Sequence, residues 1–168
     1  LDCDLLLPSP SWVSYEPQAQ ILNKKIHWIK TDATTNWHIT PSDLDKISKH
    51  LNQVEKLLIL NTPNNPSGTT HTNLEALALI ARKNNIIVLS DEIYAELDFS
   101  GQYKSMSHYY PEGTIISSGL SKWCGAGGWR IGSLTFPKEL KIIKNMVRSV
   151  ASETFTAVSA PIQYASIK

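Results

Sequence analysis

The chain has 168 residues, 42% of them hydrophobic and only 18% charged, which is one domain's worth of polypeptide and too apolar for a disordered one. Sixteen Lys+Arg against fifteen Asp+Glu leave a formal charge of +1, which argues against a general polyanion binder and hence against a nucleic-acid partner. No run of about 18 apolar residues offers a membrane span.

Short runs of Leu, Ile and Val alternate with amphipathic stretches. The first run, residues 4–7, reads as a strand that the chain enters from Leu1, and a second falls at 25–29. A helix is expected over 41–51: Thr40 stands at the N-cap, Pro41 at the first helical position, and Asp43 in the first turn, where the helix dipole favours an acid. A strand at 56–60 precedes a helix at 73–84, whose Leu74, Leu77, Ala78, Ile80 and Ala81 recur at helical spacing before Arg82 and Lys83. Strands at 86–90, 114–117 and 131–136 come next. Helices over 137–151 and 156–167 complete the pattern, and the sequence stops at Lys168 inside the last. Several strand runs are continuously apolar rather than alternating, as in strands buried on both faces of a parallel sheet. The expectation is an α/β fold with a mostly parallel sheet covered on both sides, without internal repeat or linker.

Cys3 and Cys124 form neither a disulfide framework nor a zinc spacing, which points to a reducing compartment; Cys124 is expected to behave as a buried small hydrophobe. The histidines at 27, 38, 50, 71 and 108 lie far apart in sequence and give no metal-ligand spacing, so no metal is expected.

In an α/β sheet, sites form in the loops at the carboxyl ends of strands. After 56–60 comes Asn61-Thr62-Pro63-Asn64-Asn65-Pro66-Ser67-Gly68, which is either an ordinary rigid turn or a loop that aims the Asn65 amide at a ligand. After 86–90 comes Asp91-Glu92-Ile93-Tyr94, where Asp91 is either a helix N-cap or the partner of a cation; Tyr94 shares its face if a helical turn follows. After 114–117 comes Ser118-Gly119-Leu120-Ser121-Lys122, with Arg130 eight residues further on behind three glycines. Lys122 is either a solvated surface lysine or an amine able to lose its proton and form an imine, and Arg130 offers a fork for a phosphate. Neither a Walker loop nor a dinucleotide fingerprint is present.

Taken together and in this order, four motifs resemble those of one family. They are Pro8-Ser9-Pro10-Ser11-Trp12-Val13-Ser14-Tyr15, Asn64-Asn65-Pro66-Ser67-Gly68, Ser90-Asp91-Glu92-Ile93-Tyr94, and Ser121-Lys122 with Gly128-Trp129-Arg130-Ile131-Gly132. The family is the pyridoxal-phosphate-dependent aminotransferases of class I/II, the aspartate-aminotransferase-like, fold-type-I group, and the resemblance runs across nearly the whole chain. It implies a three-layer α/β/α large domain, pyridoxal 5′-phosphate as cofactor, an amino acid and a 2-oxo acid as substrates, a homodimer and a cytoplasmic location. Lys122 resembles the lysine that holds the cofactor as an internal aldimine and then serves as acid and base for the proton shift. Asp91 resembles the carboxylate that pairs with the pyridine nitrogen, keeping the ring a good electron sink. Asn65 and Tyr94 resemble the two donors to its phenolic oxygen, Arg130 the phosphate anchor, and Trp12 the aromatic that stacks on the ring. Gly119 stands where many relatives carry a phosphate-binding Ser or Thr, which leaves Ser118 and Ser121 as substitutes. Cis peptides are expected before Pro10 and Pro66.

The resemblance further implies that residues 1–168 are part of a large, cofactor-binding domain, without the N-terminal arm and the C-terminal small domain that recognises the substrate carboxylate. Such a piece is expected to be weakly active or inactive alone, and to self-associate through faces that the other parts would cover. The same cofactor also serves β-lyases, decarboxylases and synthases, and the fold serves as a non-catalytic sensing domain in some transcription regulators, so these readings stand as alternatives.

Overall fold

The computed structural model describes residues 2–51 and 55–167; the strand entry at Leu1 and the helix end at Lys168 lie outside the described residues. The apolar runs become a six-stranded sheet of β1 (Asp4–Ser9), β2 (Ile26–Lys30), β3 (Lys56–Asn61), β4 (Ile86–Asp91), β5 (Thr114–Gly119) and β6 (Gly132–Thr135). Their order across the sheet is β2-β1-β3-β4-β5-β6. Every neighbouring pair is parallel except β5 and β6, which run antiparallel. The helices are α1 (Tyr15–Ile21), α2 (Pro41–His50), α3 (Leu74–Lys83), α4 (Lys141–Thr154) and α5 (Ala160–Ala165). The mostly parallel α/β expectation holds.

Continuous apolar strands bury both faces because neighbouring residues point to opposite sides. Leu6, Leu58, Leu60, Ile86 and Val88 pack with Leu44 of α2 and with Leu74, Leu77, Ala78 and Ala81 of α3. Leu5, Leu7 and Ile59 face the other way, onto Tyr15 and Ala19 of α1. Each fully buried leucine contributes roughly 1.5–3 kcal/mol by leaving water. Thr40 caps α2 as expected: its Oγ1 accepts the Asp43 N–H at 3.1 Å.

The structure departs from the expected elements in places that have physical reasons. Helix α1 carries no clear apolar stripe, since only Tyr15 and Ala19 of its seven residues are buried, and so it left no periodicity to read. The helix expected from 137 begins instead as a 3₁₀ turn, Lys138–Leu140, and α4 then runs on to Thr154. The last helix is cut to Ala160–Ala165, because Pro161, which lacks an N–H, fits only its first turn, and because Thr156 adopts φ 65° upstream. Cys124 is exposed rather than buried: it lies in the loop after β5, and its Sγ donates to the Leu120 carbonyl at 2.9 Å. Among the described residues, no helix is long and apolar enough to cross a membrane.

Strand β1 has β2 on one side and β3 on the other, so the chain reverses direction across the sheet at this point. A crevice opens beyond the carboxyl ends of strands at such a switch point, and ligands of doubly wound sheets bind there.

Candidate active site

The loops beyond β1, β3, β4 and β5 meet at that crevice. Beyond β1, a cis Ser9–Pro10 peptide leads into Trp12 and the start of α1. Trp12 is 39% exposed and meets Tyr15 edge-on, with ring centroids 5.3 Å apart at 85°, so its indole is not a core side chain. Tyr15 is buried, and its Oη donates to Asp91 Oδ2 at 2.5 Å. Burial first, then the charge of Asp91 and the hydrogen bond to it, raise the Tyr15 pKa far above the usual phenol range. These effects favour the protonated hydroxyl that donates to Asp91.

Asp91 is the last residue of β4, paired with Asn61 on one side and Ser117 on the other. Its Oδ1 accepts the Ile93 N–H at 3.3 Å, but no helix starts there; a short 3₁₀ turn, Ala95–Leu97, comes later. The adjacent Glu92 faces the opposite side of the sheet, where it is buried and accepts from Ser90 Oγ at 2.8 Å and Ser105 Oγ at 2.7 Å. Strand alternation thus gives two neighbouring carboxylates separate surroundings.

Beyond β3, the loop carries cis peptides at Thr62–Pro63 and Asn65–Pro66, and Gly68 closes it at φ 70° by donating its N–H to the Asn64 carbonyl at 2.8 Å. The cis bonds expected before Pro10 and Pro66 are present, and the one before Pro63 is additional. Asn65 Nδ2 lies 3.4 Å from Tyr94 Oη. Beyond β5, the Lys122 ammonium lies 5.8 Å from the Tyr94 ring centroid. Arg130 holds a left-handed φ of 56°, with its Nη1 donating to the Gly127 carbonyl at 2.7 Å.

Trp12, Asn65, Asp91, Tyr94, Ser121, Lys122 and Arg130 line one cavity of about 360 Å³. Ser118 is not among its lining residues and instead pairs with Ser133 across β5 and β6. Gly119 has no room for a side chain, since an added Cβ would stand 2.9 Å from the Ile131 carbonyl and 3.2 Å from Gly132 Cα. The departure at this position thus follows from the close approach of β6.

Five further lining residues, Tyr15, Asn61, Ile93, Ser117 and Gly127, are not among the site residues expected from the sequence. Tyr15 lay inside a quoted motif, three residues after Trp12, but nothing local showed that its hydroxyl reaches a residue 76 positions away. Asn61 reads as the first residue of the loop after 56–60, and Ser117 as the last residue of an ordinary strand. Far apart in sequence, His38 and His71 nevertheless stack as buried rings 4.3 Å apart. Among the described residues, no group of three or more His, Cys, Asp or Glu is placed to hold a metal ion.

The donor set fits pyridoxal phosphate. A held carboxylate, an amine, an Asn–Tyr pair and a guanidinium share one cavity, whose volume falls within the roughly 300–1,000 Å³ of small-molecule sites.

Fold and cavity together define a doubly wound α/β domain that gathers an amine, a carboxylate and a guanidinium at its strand ends. The chain belongs to the aminotransferase class I and II family, whose model matches residues 2–168. A probable aspartate aminotransferase of Methanocaldococcus jannaschii is 31% identical over 170 residues, which cover 98% of this chain and 44% of that protein. The aspartate/prephenate aminotransferase of Thermus thermophilus is 31% identical over 167 residues, covering 98% of this chain and 42% of that protein. The solved structure of an aspartate aminotransferase from Thermus thermophilus with maleate superposes with a TM-score of 0.86 at 30% identity, covering 99% of this chain and 43% of the other. The chain spans less than half the length of the relatives it matches.

Proposed function

We propose that this chain carries the cofactor-holding part of a pyridoxal-phosphate-dependent aminotransferase, which moves an amino group between an amino acid and a 2-oxo acid. The observation that carries this reading is the convergence of Lys122, Asp91, Asn65, Tyr94, Trp12 and Arg130 on one cavity from four separate loops. The names of its relatives, aspartate aminotransferases among them, support an amino-acid and oxo-acid substrate pair. The family resemblance adds a homodimer and a cytoplasmic location.

When bound, pyridoxal phosphate supplies a carbonyl carbon for amine exchange and a conjugated ring that takes up the electron pair left on an amino acid's Cα. Lys122 Nζ would hold the cofactor and would serve as the base for the Cα proton. Asp91 would accept from the ring nitrogen, its carboxylate steadied by the Tyr15 hydroxyl. Asn65 Nδ2, which donates to Tyr94 Oη at 3.4 Å, would together with that hydroxyl serve the ring oxygen. Trp12 would pack against the ring, and Arg130 with Ser121 would hold the phosphate.

Residues 1–168 form, in this reading, part of the large domain. Support comes from α4, none of whose residues is buried, and from the apolar groove of about 470 Å³ between it, Leu22 and Leu134, a surface that the rest of a longer domain would cover.

The test is titration of the chain with pyridoxal phosphate, followed by borohydride reduction and peptide mapping. The cofactor is expected on Lys122, and a Lys122→Ala variant is expected to lose both the characteristic absorbance and the reduced adduct. Label fixed elsewhere, or absorbance retained in Lys122→Ala, overturns the assignment.

A further inference from the structure

Asn61 is the last residue of β3, buried, and paired across the sheet with Asp91. Its side-chain amide makes two bonds in two directions. Nδ2 donates to the Asp91 main-chain carbonyl at 2.9 Å, and Oδ1 accepts the Asn65 main-chain N–H at 2.8 Å. The Thr62 N–H donates to the same Asp91 carbonyl at 3.1 Å, continuing the ladder one step past the strand. One planar amide therefore spans the end of β4 and the turn that presents Asn65.

The chemistry of the residue fits this place narrowly. An amide offers a donor and an acceptor on one rigid plane, as a carboxylate, a hydroxyl or an alkyl group of similar size does not. Both partners are main-chain groups at the end of the sheet: without Asn61 the Asp91 carbonyl would keep the Thr62 N–H, whereas the part-buried Asn65 N–H would lose the acceptor it has here, at the cost of a hydrogen bond's worth of stability. Asp91 and Asn65 approach the cavity from different strands, so their separation depends on whatever links those strand ends.

We infer that Asn61 is a positioning residue that fixes the Asp91 carboxylate and the Asn65 amide relative to each other, so that a pyridine nitrogen and its ring oxygen are met together. This rests on the pyridoxal phosphate reading above. The residue acts through its two neighbours rather than by contributing a donor to the ring. Its loss loosens both contacts at once, and the contribution of Asn65 depends on it.

The experiment has a cofactor-free arm and a loaded arm. In the first, amide hydrogen exchange is followed at Asn65 in the native chain and in Asn61→Ala; the Asn65 N–H is expected to exchange at least about tenfold faster in the variant, as a lost hydrogen bond of this kind implies. In the second, the affinity for pyridoxal phosphate and the pH midpoint of its bound absorbance are measured for native, Asn61→Ala, Asn65→Ala and the double variant. The expected result is a displaced pH midpoint in Asn61→Ala, and a loss from Asn65→Ala that shrinks severalfold once Asn61 is gone. Independent effects, multiplying to within about twofold, overturn the inference. So does an unmoved midpoint, even with a lowered melting temperature, because that is the signature of a purely structural residue. Should Asn61→Ala not fold, Asn61→Ser, too short to bridge both groups, enters the same cycle with the same outcomes. Failure of the native chain to bind pyridoxal phosphate overturns the cofactor reading, and the positioning role falls with it; unchanged exchange at Asn65 overturns the bridge itself.

Discussion

The residues up to β5 and those after it are two different kinds of structure. The first region buries leucines, isoleucines and valines on both faces of its parallel strands. In the second, from Leu120 onward, no described residue is buried, and Met146, Val150 and Phe155 stand half exposed or more. The cavity straddles the two. Asp91, Tyr15, Asn61 and Asn65 come from the packed region and hold one another by hydrogen bonds. Lys122 and Arg130 come from the exposed one. A parallel sheet thus sets the polar groups that would tune a cofactor within this segment alone, whereas the groups that would grip it stand on backbone with little packing of its own.

If that contrast is right, equal truncations have unequal effects. Leu58, fully buried between strands and α3, is expected to cost about 2–5 kcal/mol as Leu58→Ala, read from the denaturant midpoint. A comparable cost in the exposed region would break the comparison.

The packed region also has an acid limit. Burial is the main cause that pushes the His71 pKa down from 6.5 to about 4, with the Asn73 hydrogen bond opposing it and His38 adding to it. The folded state therefore keeps His71 neutral at pH values where an unfolded histidine takes up a proton. Its contribution is full above 6.5, declines as pH falls towards 4, and is lost by roughly 3 kcal/mol at the lower end. Urea unfolding measured across that window is expected to show this slope, and His71→Phe to flatten it. An unchanged slope would show that His71 is not the group responsible.

Tyr15→Phe removes only the hydroxyl that serves Asp91. It is expected to cost about 1.5–3 kcal/mol, the range for a hydrogen bond to a charged partner, as measured by chemical denaturation. The smallest effect is expected at Val150, which is 63% exposed: Val150→Ala in this chain should change stability by less than about 0.5 kcal/mol. A larger loss there would mean that α4 is packed after all.

Much of this protein was legible along the chain, and the reason is that the legible parts are local. Apolar runs delimit the strands to within a residue or two because burial on both faces demands continuous hydrophobes. The Thr40-Pro41 start of α2 is a matter of hydrogen bonds and φ within four residues. The order of the four motifs carried the family, and the residues singled out in them, Ser118 apart, line one cavity. Helix α1 was not legible, since a two-residue apolar face has no period. Nor was the surface position of Cys124, because burial depends on what packs above a loop and not on the loop's own composition.

The sequence by itself determined that there would be a parallel sheet, where its strands end, and which motifs follow them. Only the tertiary structure decided which of two adjacent carboxylates faces the cavity. Asp91 and Glu92 are chemically alike, and the pleat sends one to Tyr15 and the other to Ser90 and Ser105. It also decided that position 119 has no room for a side chain, and that one asparagine joins two strand ends. These are contacts between residues distant in sequence, and their geometry does not exist until the sheet brings the strand ends side by side.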